Sequence, residues 1–228
     1  MSAVRGDGVA GADGSDRTLW QRVASAGAGE DYAAVYADRF RRAAARGEDI
    51  HGEAHFVQAL LPGPARVLDA GCGTGRLGTR LAELGHDVVG CDLDPAMIEV
   101  ARRESPHLDW RVADLADAES LAALGRFDLV ALAGNVVPFL EPGTLAAAAR
   151  SIAMLLRPGG LAVVGYGHDA DHVPAGCPVV DPDDVDAAFL AAGLTASAHH
   201  GTWAGDPWER AGGYRVSVWR QPVVPGLG

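Results

Sequence analysis

The sequence predicts an α/β domain built on a doubly wound, mostly parallel sheet of seven strands, with a reversed last strand and an N-terminal helical cover. After Pro62, short apolar runs typical of buried strands alternate five times with helical patterns. Two further strand-like runs, residues 195–203 and 213–219, flank a loop. Repeated strand–helix alternation gives a parallel sheet with helices on both faces, whereas two strands joined by a loop pair as an antiparallel hairpin.

The chain before the first strand divides into two parts. Residues 1–18 are mostly Gly, Ser and Asp with few large apolar groups, which predicts a disordered tail. Residues 19–62 carry aromatic and apolar side chains at helical spacing, with a break near 27–29 and a short helix from about 50 to 61. We therefore expect a helical cover at 19–62, an α/β domain at 63–222, and one globular domain over 19–222.

The first predicted strand runs into the sequence VLDAGCGTG, residues 67–75. Glycines at alternate positions suit a tight turn with positive φ or close approach to a ligand, and the helix that follows offers free backbone N–H groups. A second apolar run ends in Asp92, which lies 92 − 71 = 21 residues after Gly71. An acidic residue at that distance binds ribose hydroxyls in βαβ nucleotide folds. The pattern predicts a site for an adenosine-containing cofactor.

The residue types in the turn separate two kinds of cofactor. A dinucleotide fingerprint needs Gly or Ala at position 76, where this chain has Arg76. A pyrophosphate must also meet a helix N-terminus, and an acidic residue such as Asp69 would repel it. The turn instead resembles the first motif of class I S-adenosylmethionine-dependent methyltransferases. That cofactor has a cationic amino-acid end, which Asp69 would suit.

Later segments resemble the same family in the same order. Asp114 follows the third strand, the Phe-Asp-Leu-Val sequence at 127–130 opens the fourth, and the Leu-Arg-Pro-Gly-Gly sequence at 156–160 precedes the fifth at 161–167. The resemblance covers roughly residues 50 to 220. Asp94-Pro95 stands where Ser/Thr-Pro is commoner. No Asn-Pro-Pro-Tyr-type motif follows the fourth strand, which argues against methylation of nucleic-acid bases or protein glutamine.

The resemblance implies that S-adenosylmethionine is the cofactor, with Asp92 on the ribose and Asp114 on the adenine amino group. The implied cofactor-binding residues are Asp69, Gly71, Cys72, Gly73, Asp92, Leu93, Asp114, Leu115 and Ala133. No catalytic base is assigned, and the candidates are His51, Asn135 and His168. The first lies in a His-Gly-Glu-Ala segment like that of some bacterial relatives, the second follows the fourth strand, and the third opens a loop expected to act as a lid.

Neither histidine-containing segment predicts a metal site. His51 and His55 flank Glu53 at the wrong spacing for a helical zinc motif, and the polar residues 168–172 are typical of a solvated loop.

Net charge and composition indicate which kinds of partner and location this protein has. The 228 residues carry a formal net charge of −11, and all 19 basic residues are arginine, which disfavours a nucleic-acid partner. No apolar run approaches the roughly 20 residues needed to span a bilayer, and no signal peptide is visible. The three cysteines, Cys72, Cys91 and Cys177, are expected to be reduced. These features predict a cytoplasmic protein, a monomer or homodimer, without a membrane or nucleic-acid partner.

The expected function is methyl transfer from S-adenosylmethionine to a small-molecule acceptor by in-line displacement. Because a sulfonium methyl group is already activated, the protein's main task is to align the acceptor and exclude water. Two alternatives stay open: an NAD-dependent oxidoreductase on a similar sheet, and a non-catalytic protein that binds S-adenosylmethionine.

Overall fold

The computed structural model describes residues 17–223, so most of the predicted tail at 1–18 lies outside the described residues. Seven strands form one sheet: β1 (Arg66–Ala70), β2 (Asp87–Asp92), β3 (Asp109–Val112), β4 (Phe127–Leu132), β5 (Leu156–Gly167), β6 (Thr195–His200) and β7 (Tyr214–Arg220). Their order across the sheet is β3-β2-β1-β4-β5-β7-β6. Strands β1 to β5 are parallel, and β7 runs antiparallel to both of its neighbours. The predicted fold, including the reversed last strand, is confirmed.

The helices alternate with the strands after an N-terminal group of three. Their bounds are α1 (Leu19–Ala28), α2 (Tyr32–Ala45), α3 (Gly52–Leu60), α4 (Arg76–Glu83), α5 (Pro95–Glu104), α6 (Ala118–Leu121), α7 (Val136–Phe139), α8 (Leu145–Leu155) and α9 (Pro182–Ala191). Thr18, placed in the predicted tail, caps α1 by accepting the N–H of Gln21 at 3.1 Å. The helical cover therefore begins at Thr18. Within residues 17–223, no helix is both long and apolar enough to cross a membrane.

Two helices begin at Asp-Pro pairs, as their sequence signals predict. The Asp94 side chain accepts the N–H of Ala96 at 3.0 Å, and the Asp181 side chain accepts the N–H of Asp183 at 2.9 Å. Each carboxylate satisfies an N–H that the helix cannot bond internally, and proline fits the first helical position. The predicted helices at 95–104 and 182–192 are present, the second ending one residue earlier.

Strand β5 begins earlier than predicted. The Arg-Pro-Gly-Gly segment was expected as a turn before a strand at 161–167, yet the strand already pairs at Leu156, opposite Phe127 of β4. The register shifts between Phe127 and Leu129, and Gly159 donates its N–H to the carbonyl of Gln221 at 2.9 Å. These irregular residues stay within the sheet because neighbouring segments on both sides form hydrogen bonds with their backbone groups.

The sheet is packed on both faces. The largest side chain of β3, that of Trp110, is buried in this packing. Trp110 is 2% exposed and lies against three glycines. A Cβ atom would come within 2.7 Å of the indole ring at Gly75, 3.0 Å at Gly78 and 2.2 Å at Gly90. A methyl group does not fit at such distances, so Trp110 occupies the space that side chains would take at these positions.

A buried ion pair joins β7 to α9. The Arg215 side chain is 1% exposed and donates to Asp186 Oδ1 at 2.5 Å and to the His199 ring at 2.9 Å. Its guanidinium also lies 4.6 Å from the centroid of the Trp208 ring. The contacts compensate a charge that has no access to water.

We expect Asp186→Ala to lower the free energy of unfolding by about 2 kcal/mol, because it leaves the Arg215 guanidinium buried without a counter-ion. Urea denaturation measures the change. The control is Glu83→Ala, which breaks the exposed Arg80–Glu83 pair and should cost less than about 1 kcal/mol. Equal losses in the two variants would contradict the expectation.

Candidate functional site

A cavity of about 320 Å³ lies beyond the carboxyl ends of β1 to β4. The segments that follow these strands form its floor, with Gly71, Gly73, Asp92, Leu93, Asp114, Leu115 and Asn135 in the lining. The N-terminal segment forms its roof, with Thr18, Trp20, Tyr36, Arg39 and Phe40. The strand order places β1 and β4 side by side where the chain reverses direction across the sheet, which is where ligands bind in open α/β sheets.

The glycine turn after β1 is held by the end of β2. Gly71 and Cys72 donate their N–H groups to the carbonyl of Cys91 at 2.8 and 2.9 Å. Gly71 and Gly73 both have positive φ, +73° and +54°. A Cβ at Gly71 would clash with Val136 at 2.5 Å, whereas at Gly73 the nearest atom, in the Tyr36 ring, is 3.7 Å away. Gly73 thus presents bare backbone to open space in the cavity.

Asp92 forms the link between the turn and the end of β2. Its Oδ2 accepts the N–H of Gly73 at 2.8 Å, and its Oδ1 accepts the N–H of Asp94 at 2.9 Å. Burial raises the pKa of Asp92 to about 6, against the lowering effect of these hydrogen bonds. A carboxylate has about four lone-pair sites, so each oxygen can accept a further hydrogen bond from the cavity. Two such acceptors fit a ribose, which has two adjacent hydroxyl donors.

Asp114 lies on the same floor. One of its carboxylate oxygens accepts the N–H of Ala116 at 2.8 Å, and its backbone N–H donates to the Ser120 hydroxyl at 3.1 Å. These contacts fix the segment after β3, with Leu115 beside it in the lining.

Three of the predicted cofactor-binding residues lie outside the cavity lining: Asp69, Cys72 and Ala133. Asp69 is 2% exposed, and its Oδ2 accepts the N–H of Gly78 in the first turn of α4 at 2.8 Å. Burial raises its pKa to about 7. The carboxylate therefore faces the start of the helix, and its contact supports the turn from behind.

Arg76, the residue that argued against a dinucleotide, joins the helical cover to the turn. Its guanidinium donates to both carboxylate oxygens of Glu53, at 2.9 and 2.5 Å, and lies 4.6 Å from the centroid of the Phe40 ring. This bidentate, half-buried arrangement fixes α2 and α3 against the first turn of α4.

The three candidate catalytic residues are not brought together. Asn135 lines the cavity, but its side chain donates to the carbonyl of His172 at 2.9 Å and accepts the N–H of Gly167 at 2.6 Å. Its amide thus ties the turn after β4 to the loop after β5. His168 is 8% exposed between the rings of Tyr166 and Trp208, and neither it nor His51 lines the cavity.

Part of the aromatic lining was not among the predicted site residues. The Trp20 ring meets Tyr36 edge to face at 5.7 Å and Phe139 at 4.9 Å between centroids. Helical spacing pointed to Trp20 and Tyr36 as residues of the cover. Phe139 lies on α7, a single turn too short to show a period, so the sequence carries no signal for it.

Comparison with known proteins gives consistent results. The family described as "Methyltransferase domain" matches residues 67–160. A ubiquinone biosynthesis O-methyltransferase from Xanthomonas axonopodis pv. citri is 36% identical over 141 residues, which cover 53% of this chain and 57% of the relative. The homologue from Xanthomonas oryzae pv. oryzae is 34% identical over 172 residues, 61% of this chain and 70% of the relative. The match thus spans little more than half the length of the first of these curated relatives.

The crystal structure of a TehB-like S-adenosylmethionine-dependent methyltransferase from Corynebacterium glutamicum extends the likeness to nearly a whole chain. It is 35% identical, covers 83% of this chain and 98% of its own, and superposes with a TM-score of 0.74. Together with the glycine turn and Asp92 at the cavity floor, this likeness removes the oxidoreductase alternative. The chain belongs to the class I S-adenosylmethionine-dependent methyltransferases.

Proposed function

We propose that this chain transfers a methyl group from S-adenosylmethionine to a small-molecule acceptor by in-line displacement. The observation that carries the proposal is the cavity itself. It runs from Gly73, Asp92 and Asp114 on its floor to an aromatic wall beneath the N-terminal helices. One cleft therefore offers polar groups for an adenosine and aromatic side chains beside which a second molecule can bind.

The floor residues bind and orient the cofactor in this proposal. Asp92 accepts the ribose hydroxyls, Asp114 accepts the adenine amino group, and the bare backbone at Gly73 lets the ligand approach closely. The cofactor supplies a methyl group that positively charged sulfur has already activated. What the chain adds is alignment of the two reactants.

The roof supports a small acceptor. Trp20 packs against Tyr36 and Phe139 over the cavity, and these rings exclude water from the reacting atoms in this proposal. The charged groups of the described lining are four carboxylates and Arg39. A polymer would have to displace the roof, whereas a small molecule fits beneath it.

Ligand binding and turnover test the proposal in two steps. We expect S-adenosylhomocysteine at about a hundredfold over its dissociation constant to raise the melting temperature by about 5–10 °C. NAD at the same concentration is the control and should leave the melting temperature unchanged.

Methyl transfer is then assayed with a panel of phenols, amines and carboxylates, with DNA and a denatured protein as polymer controls. Phenols come first because the curated relatives are named as O-methyltransferases. Transfer to a small molecule supports the proposal. Binding without transfer to any acceptor would favour the non-catalytic alternative, and transfer to a polymer alone would contradict the small-molecule acceptor.

A further inference from the structure

Asp94 accepts more hydrogen bonds than its place at the start of α5 requires. It is 1% exposed, and its Oδ1 accepts the N–H of Ala96, the bond that caps the helix. Its Oδ2 accepts two further donors from the N-terminal segment: the indole N–H of Trp20 at 3.0 Å and the hydroxyl of Tyr32 at 2.6 Å. Burial and the neighbouring carboxylate raise the pKa of Tyr32, as expected for a hydroxyl that donates to a charged group.

The cap alone does not explain an aspartate at this position. Serine caps helices about as well as aspartate. What the carboxylate adds is a second oxygen with negative charge. Within the described residues, that oxygen accepts hydrogen bonds from Trp20 of α1 and from Tyr32 at the start of α2. Hydrogen bonds to an ionised acceptor are roughly twice as strong as neutral ones.

Helix α1 is also held on the opposite side of the cavity. Glu141, which follows α7, accepts the backbone N–H of Leu19 at 2.5 Å, and its other oxygen lies 3.6 Å from the guanidinium of Arg22. Both carboxylates belong to the lining. Helix α1 therefore spans the cavity between one anchor after β2 and a second after β4.

The Asp94 anchor is joined directly to the predicted ribose site. The backbone N–H of Asp94 donates to Asp92 Oδ1 at 2.9 Å, so the two side chains share one short loop. Movement of this loop changes the position of the carboxylate on the cavity floor and of the helices over its roof together.

We propose that Asp94 is a positioning residue that holds the N-terminal helices closed over the cofactor and acceptor. The inference rests on the proposed function for its effect on ligands. The closure itself is a property of the ligand-free chain and can be measured without one.

The experiment uses Asp94→Ser in the full chain. Serine keeps the helix cap and removes the oxygen that serves Trp20 and Tyr32. The matched control is Asp181→Ser, at the Asp-Pro start of α9, whose carboxylate meets Asp183 and Arg210 and does not line the cavity. Hydrogen exchange over residues 19–45, stopped-flow release of S-adenosylhomocysteine and melting temperature are recorded for both variants.

We expect Asp94→Ser to speed hydrogen exchange in α1 and α2 and the release of S-adenosylhomocysteine, each by about tenfold, because two hydrogen bonds to a charged group are lost. Asp181→Ser should change both by less than about twofold, because its cap is equally replaced by serine. Exchange and release that are unchanged in Asp94→Ser would overturn the proposal. If the wild-type chain failed to bind S-adenosylhomocysteine, the proposed function would fail, while exchange would still decide the role of Asp94.

A second variant tests the proposal even if the first variant has a folding defect. Tyr32→Phe removes one donor, and Tyr32 does not line the cavity. We expect it to speed exchange in α1 and α2 by about threefold in the wild-type background and to have no further effect in Asp94→Ser, the pattern of two residues that act through one contact. Independent effects of the two substitutions would contradict the proposal.

Discussion

Gly73→Val should abolish cofactor binding while the protein stays folded. The backbone at Gly73 has φ +54°, and its Cβ would enter the cavity with the Tyr36 ring 3.7 Å away as its nearest neighbour. The Cβ itself meets only an ordinary contact, the branched side chain occupies space in the cavity, and it also strains a left-handed turn. We expect calorimetry to show affinity for S-adenosylhomocysteine reduced by about a thousandfold or more, which is about 4 kcal/mol.

A matched control distinguishes the effect of backbone strain from the effect of blocking the ligand site. Gly193→Val places the same side chain at another left-handed glycine, with φ +86°, open surroundings and no part in the cavity lining. It should lower the melting temperature and leave affinity unchanged. Affinity in Gly73→Val within about tenfold of the wild type would show that the turn does not contact the ligand.

Asp92→Ala should weaken cofactor binding by about a hundredfold, or about 2.7 kcal/mol. The substitution removes the predicted acceptor for the ribose hydroxyls and also leaves the N–H groups of Gly73 and Asp94 without their acceptor. Unpaired polar groups and a loosened turn both oppose binding. Titration calorimetry with S-adenosylhomocysteine measures the loss.

The control for Asp92 is Asp87→Ala, at the exposed start of the same strand. A pH series adds a second readout. Because the pKa of Asp92 is raised to about 6, the carboxylate is charged above that pH and protonated below it. Wild-type affinity should be highest well above pH 6 and fall as the pH drops through 6, and Asp92→Ala should lack the part of this fall that protonation of Asp92 causes. Affinity that is insensitive to both changes would remove Asp92 from the site.

Local signals predicted most of the residues that line the floor of the cavity, and their contacts with the cofactor stay a prediction. The spacing from Gly71 to Asp92 follows from one strand, one turn and one helix, so residues close in the chain determine it. The same holds for the caps at Asp94 and Asp181, where a side chain bonds a backbone group two residues on. Such short-range contacts can be predicted directly from the sequence.

Contacts between distant segments were not predictable in the same way. Asp69 has the residue type and position of a cofactor ligand, yet it caps α4. Glu141 meets Leu19 across 122 residues, and no periodicity connects the two. The only sequence signal for the second role of Asp94 was that an aspartate stands where Ser/Thr-Pro is commoner. Its donors, Trp20 and Tyr32, become evident only once α1 and α2 are placed over the sheet.

The packing of Trp110 bears on how this family's glycine motif can vary. Gly73 borders the cavity, whereas a Cβ at Gly75 would meet an indole ring that also fills the space at Gly78 and Gly90. Positions 75, 78, 90 and 110 thus form one packing unit, although they are distributed over a turn, a helix and two strands. A smaller side chain at 110 would relieve the contacts of the ring at Gly78 and Gly90, whereas Gly75 would still favour glycine because its φ is +84°. The last glycine of the motif is therefore required both by its own backbone conformation and by the tryptophan of the third strand.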